Sequence, residues 1–174
     1  MATAPTMMAT LEPEFIQRLD SNAFGFGVAF SALMITRLIL QVPFGWLSDR
    51  VGRKPLVVGG LVLMAPATVL LGLAGSMFEL SAYRVFQGLA SAAIAAPAFA
   101  LAADLSTAGG EGRQMSIVTL GFGLGLAAGP LLAGLLGAIG FELPFILGGL
   151  LSLVGAWIVL RHVPETVSRD HAEA

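Results

Sequence analysis

Long apolar runs separated by short polar punctuation dominate the chain. Five of them, at residues 23–44, 56–75, 80–103, 115–139 and 143–160, come near or exceed the length of about 20 residues that a helix needs to cross the hydrocarbon of a bilayer. Apolar positions within each run are continuous and do not alternate with polar ones, which argues against membrane barrel strands. The pattern predicts an all-α membrane protein, a bundle of about five transmembrane helices. The joins at residues 75–79 and 140–142 are so short that the second and third spans, and the fourth and fifth, must form antiparallel hairpins.

Composition sharpens this picture. Of 174 residues 56% are hydrophobic and only 11% charged, with a mean hydropathy of +0.87, where a soluble domain is about one quarter charged. The net charge of −2 gives no basic surface with which to neutralise phosphates, so nucleic acid is not a partner. The absence of cysteine removes disulfides, thiolate metal sites and cysteine nucleophiles. Residues 1–10 are apolar but have no basic segment before them and are followed by Glu12 and Glu14, so they do not form a signal peptide. They are expected to be the end of a further helix. Residues 1–22 then form an outer segment with a remnant of a first helix, residues 23–160 the bundle, and residues 161–174 a tail.

Cations set the orientation, because the cytoplasmic ends of membrane helices carry the excess of Lys and Arg. One side holds Arg50, Arg53, Lys54, Arg113, Arg161 and Arg169, and the other holds only Arg18. The C-terminus is therefore expected in the cytoplasm. An odd number of spans would place the N-terminus outside, so the chain reads as a truncated piece. Two arginines, Arg37 and Arg84, fall inside spans, where a charge costs about 2.5 to 3.5 kcal/mol on insertion scales. Arg37 is near mid-depth and should face the bundle interior, lining a cavity or meeting a carboxylate. Arg84 lies five residues past Glu79, so two readings are open: it snorkels to the outer headgroups or it serves inside the bundle.

Small residues recur at helical spacing. Gly121, Gly125 and Gly129 form one ridge and Gly88, Ala92 and Ala96 another, both suited to close helix approach. Pro66, Pro97 and Pro130 interrupt spans, which a membrane bundle tolerates where neighbours satisfy the freed carbonyls.

The charged stretch between the first two spans carries Gly45, Asp49, Arg50, Gly52, Arg53 and Lys54, predicted as a turn in water. It resembles the G-x-x-x-D-R-x-G-R-K signature of the major facilitator superfamily. The third span opens with Arg84, Gln87 and Gly88, similar to the family's R-x-x-Q-G motif. Gly125, Gly129, Pro130 and Gly134 resemble the G-x-x-x-G-P-x-x-G-G motif of its drug:proton antiporters, with Ala133 in place of a glycine and Ser116 where an earlier glycine is expected. The resemblance implies the partial N-terminal six-helix bundle of the major facilitator fold, covering helices two to six. It implies a cytoplasmic latch formed by the signature residues together with Asp104, which would pair with Arg50 or Arg53. It also implies a proton-coupling or cavity role for Arg84, Gln87 and Gly88, with Arg37 a further candidate. Pro164 and Glu165 resemble the stop segment after the sixth helix.

The expected function is secondary transport, with proton-coupled efflux of a drug or small metabolite favoured by the Gly-Pro motif. The alternatives are uptake of a sugar, organic acid or other nutrient, and a membrane module that only binds a partner. The implied partners are a small-molecule substrate, a proton, the lipid bilayer of a bacterial inner membrane and a C-terminal helical bundle absent from this chain. No cofactor and no metal are expected. Gly121, Gly123 and Gly125 lack the third glycine and preceding strand of a dinucleotide loop, the glycines at 109, 110 and 112 lack the lysine of a phosphate cradle, and His162 and His171 are isolated. No nucleophile, base and orienting acid converge, so the chain is not expected to be an enzyme.

Overall fold

The computed structural model describes residues 3–106 and 110–165. Among the described residues are seven helices: α1 (Thr3–Thr10), α2 (Glu12–Arg18), α3 (Ala23–Val51), α4 (Arg53–Gly72), α5 (Met77–Asp104), α6 (Glu111–Gly137) and α7 (Leu143–His162). Five of these, α3 to α7, are long and apolar enough to cross a membrane. The chain is an integral membrane protein of the all-α class.

The spans coincide with the apolar runs but outgrow them. Helix α3 continues seven residues past Phe44, and α5 begins three residues before Leu80. Both extensions have a local cause. Arg50 is a good helix former and the Gly52 backbone N–H donates to the Ser48 carbonyl at 3.1 Å, so the backbone ladder of α3 continues through Asp49 and Arg50. At α5, the Ser76 hydroxyl accepts the Glu79 backbone N–H at 3.2 Å while the Glu79 carboxylate accepts the Gly75 N–H at 2.9 Å. These two bonds satisfy donors that a helix start leaves free. Asn22 caps α3 in the same manner through the Gly25 N–H, 2.9 Å away.

Helix α5 is the axis of the bundle. Of its most apolar stretch 56% is buried, against 17% for α3 and 11% for α6; α3 and α4 flank it, and α7 packs on α4. Glycine permits two of these crossings. A Cβ built at Gly88 would lie 2.6 Å from the Leu33 carbonyl oxygen of α3, and one at Gly149 of α7 would lie 3.0 Å from the Ala65 carbonyl oxygen of α4. The ridge of Gly88 and Ala92 is thus a packing seam. The ridge on α6 is not one along its length: Gly121 is exposed with nothing within 4 Å of such a Cβ. Only its far end, Gly129 and then Ala133, is buried, where α1 packs on α6. An eight-residue partner cannot cover a helix of 27 residues.

The end of the bundle that carries α2 is closed by aromatic rings. Phe15 is buried and meets Phe141 and Phe145 edge-on, with centroids 4.8 and 5.7 Å away. Arg18 lies over the Phe141 ring at 4.7 Å and donates to the Glu142 carboxylate at 2.9 Å. That hydrogen bond holds the Glu142 carboxyl below the usual glutamate range.

Candidate functional site

The signature residues do not form a loop. Helix α3 runs through Asp49 and Arg50 to Val51, α4 begins at Arg53, and the whole turn is Gly52. Its φ of 110° is a conformation that side chains resist, so a glycine is needed there.

This turn delivers Arg53 to the first position of α4, where the helix N-terminus already carries partial positive charge. A cation is unfavourable in such a place unless anions surround it, and three carboxylates do. Asp104, at the end of α5, is paired with Arg53 Nη1. The same nitrogen donates to the Ala100 carbonyl at 3.0 Å. Asp49, one turn earlier on the neighbouring helix, lies 3.5 Å from Nη2. Glu165, just beyond α7, accepts the Arg53 backbone N–H at 3.1 Å. Four elements are joined through one arginine. Of the two partners expected for Asp104, the structure selects Arg53; Arg50 is exposed and makes no ion pair among the described residues. Lys54 is half-buried and likewise unpaired among them.

Glu165 is the member that sequence reasoning missed as a ligand of this cluster. It stands in a segment read only as a stop after the last helix. The available signal was an acid placed just after a helix on the side rich in cations. Gly52 also makes room for it, since a Cβ there would lie 2.7 Å from Glu165 Oε2. Gly45 has open space beside it: among the described residues no neighbouring side chain or helix comes within 4 Å of a Cβ built on it. Its carbonyl accepts the buried Ser48 hydroxyl at 2.7 Å. An open groove of about 650 Å3 beside it is lined by Pro43, Trp46, Leu47, Asp49 and Arg50.

A second polar cluster is enclosed among α3, α4 and α5. Arg84 is fully buried, its guanidinium 4.9 Å from the centre of the Phe30 ring. Its Nη1 donates to Gln87 Oε1 at 2.9 Å, Gln87 Nε2 donates to the Thr68 hydroxyl at 3.1 Å, and that hydroxyl donates to the Met64 carbonyl at 2.8 Å. The snorkelling alternative is not adopted. Face-on contact with Phe30 and the bond to Gln87 draw the side chain inward, yet Nε and Nη2 have no partner among the described residues.

Arg37 is half-buried and has no ion pair among the described residues. In α6, Gly125 is half-buried, Gly129 buried, and Pro130 and Gly134 exposed within an uninterrupted helix.

With this geometry in view, similarity to known proteins decides the family. A sequence model described as Major Facilitator Superfamily matches residues 1–174. The chain belongs to the Major Facilitator Superfamily. Membership sets it among transporters and not among enzymes. The inner membrane transport protein YajR of Escherichia coli (strain K12) is 33% identical over 141 residues, 80% of this chain and 31% of that protein. The class B tetracycline resistance protein of Escherichia coli is 32% identical over 169 residues, 96% of this chain and 41% of that protein. The chain therefore spans only about a third to two fifths of the length of these relatives. The fold is also that of a bacterial homolog of the human lysosomal transporter Spinster, solved in an inward-facing and occupied conformation. That structure matches with a TM-score of 0.78 at 16% identity, over 99% of this chain and 43% of the other.

Proposed function

We propose that this chain is the larger part of the N-terminal bundle of a secondary transporter that exports a drug or small metabolite in exchange for protons. The observation that carries this reading is the likeness to tetracycline resistance proteins along nearly the whole chain, since an exporter confers resistance by removing the drug. The Gly129-Pro130 pair within α6 agrees with it. The cluster around Arg53 serves as the cytoplasmic latch: it holds α3, α4, α5 and the segment after α7 in one arrangement, and rocking of the bundle against a second one opens and closes a midplane site. The C-terminus lies in the cytoplasm on this reading.

Everted membrane vesicles from cells expressing the protein provide the test. Drug uptake into them should follow an imposed proton gradient and collapse when the gradient is dissipated. Pro130→Ala should lower the initial rate several-fold with the protein still present in the membrane. Uptake indifferent to both treatments would exclude proton-coupled export.

A further inference from the structure

The two arginines inside the spans have no carboxylate inside the spans to match them. All eleven acidic residues of the chain stand elsewhere. Glu12, Glu14 and Asp20 belong to the outer segment, and Asp170 and Glu173 to the tail. Asp49, Glu79, Asp104, Glu111, Glu142 and Glu165 lie within three residues of a helix end. Among the described residues the interior of the bundle is therefore electrostatically one-sided, carrying two guanidinium groups and no anion.

The two differ in what can reach them. Arg84 is wholly covered and already bonded to Gln87. Arg37 is half-buried and sits at the midpoint of α3, 14 residues from Ala23 and 14 from Val51. The apolar run of α3 ends at Phe44, seven residues or about 10 Å from Arg37, which places the residue well inside a hydrocarbon core about 30 Å thick. Arg37 continues the face on which Phe26, Phe30 and Leu33 pack, next to Thr36, which touches α5 at Gly88. It lies two turns, about 10 Å, along the helix from the Phe30 ring that supports Arg84. The buried charge of Arg84 thus adds to the positive potential at Arg37 and falls on a medium of low dielectric constant.

An accessible cation at mid-depth with no partner is expensive to keep, and a ligand that neutralises it recovers part of that cost. A guanidinium presents a flat fork of donors that fits a carboxylate with two parallel bonds. We propose that Arg37 binds a carboxylate group of the transported molecule, so that the cargo is an organic acid or a carboxylate-bearing drug. This rests on the transporter reading above.

The test is equilibrium binding of radiolabelled benzoate and 1-naphthoate to the protein in nanodiscs, with benzamide and 1-naphthamide as uncharged counterparts. No gradient is involved, so a failure of proton-coupled export in vesicles and a failure of binding here are separate results. The expected result is saturable binding of at least one carboxylate and of neither amide. Arg37→Gln should weaken it by at least about tenfold, the size expected when a charge-assisted bond is lost. Arg37→Lys, which keeps the charge but loses the fork, should bind more weakly than the native protein and more tightly than Arg37→Gln, and controls for folding. No saturable binding of either acid, or equal binding of acid and amide, overturns the proposal. So does displacement by chloride or inorganic phosphate as effective as by unlabelled acid. Carboxylate binding that survives Arg37→Gln while the thermal stability of the protein falls would assign the neutralising anion to the protein itself, and overturns it as well.

Discussion

At the scale of single residues, Gly52 and Arg53 carry the most consequence. Gly52 holds a φ of 110° and leaves room for Glu165, so Gly52→Ala meets backbone strain and a displaced carboxylate together. The expected cost is about 1 to 2 kcal/mol, visible as a lower melting temperature of the purified protein. An unchanged value would mean that the turn relaxes freely. The carboxylates around Arg53 should rank by exposure and distance. The Asp104 side chain is 32% exposed and in direct contact, whereas the Asp49 side chain is 63% exposed at 3.5 Å. Asp104→Asn leaves a largely buried guanidinium underpaired and should cost about 1 to 3 kcal/mol, while Asp49→Asn, a surface pair, should cost under about 1 kcal/mol. Thermal unfolding of the two variants side by side decides the order, and the reverse order would make Asp49 the principal partner.

At the scale of helices, two glycine ridges of similar appearance in the sequence have different fates. Gly88 lies at the crossing of α3 on α5, where a methyl group would press on the Leu33 carbonyl and on the Thr36 side chain. Gly88→Ala must push the helices apart and should destabilise by about 1 to 3 kcal/mol, the usual cost of overpacking. Gly121 points into open space, so Gly121→Ala should raise the stability of the chain slightly, by about 0.5 to 1 kcal/mol, because alanine loses less backbone freedom in a helix. Chemical denaturation of both variants in the same detergent measures the contrast. A shared sign for the two would show that helix propensity alone governs these positions. Spacing marks a smooth ridge in either case, but only the partner across it determines whether smoothness is used.

At the scale of the whole molecule, the exposed apolar faces of α3 and α6 and the buried α5 describe a bundle whose outer surfaces meet lipid or further protein. The lack of cysteine makes topology directly measurable. In intact cells a membrane-impermeant maleimide should label Gly140→Cys, at the end that carries α2. His162→Cys, at the end that carries the Arg53 cluster, should react only in everted vesicles. The opposite pattern would invert the bundle and move the cluster outside.

What the linear sequence determined by itself is whatever follows from burial in lipid and from local backbone chemistry. Continuous apolar runs of this length have to be helices, because hydrocarbon satisfies no backbone hydrogen bond. The spacing of Gly45, Asp49, Gly52 and Arg53 and that of Arg84 and Gln87 were legible for the same reason, since each lies within one or two helical turns. Tertiary structure alone decided what depends on residues far apart in the chain. It chose Arg53 over Arg50 for Asp104, drew Arg84 inward onto Phe30 and Gln87, and brought Glu165 across 112 positions to the start of α4. Those choices turn on which helix faces meet and at what height, and a pattern with the period of one helix holds no information about its neighbour.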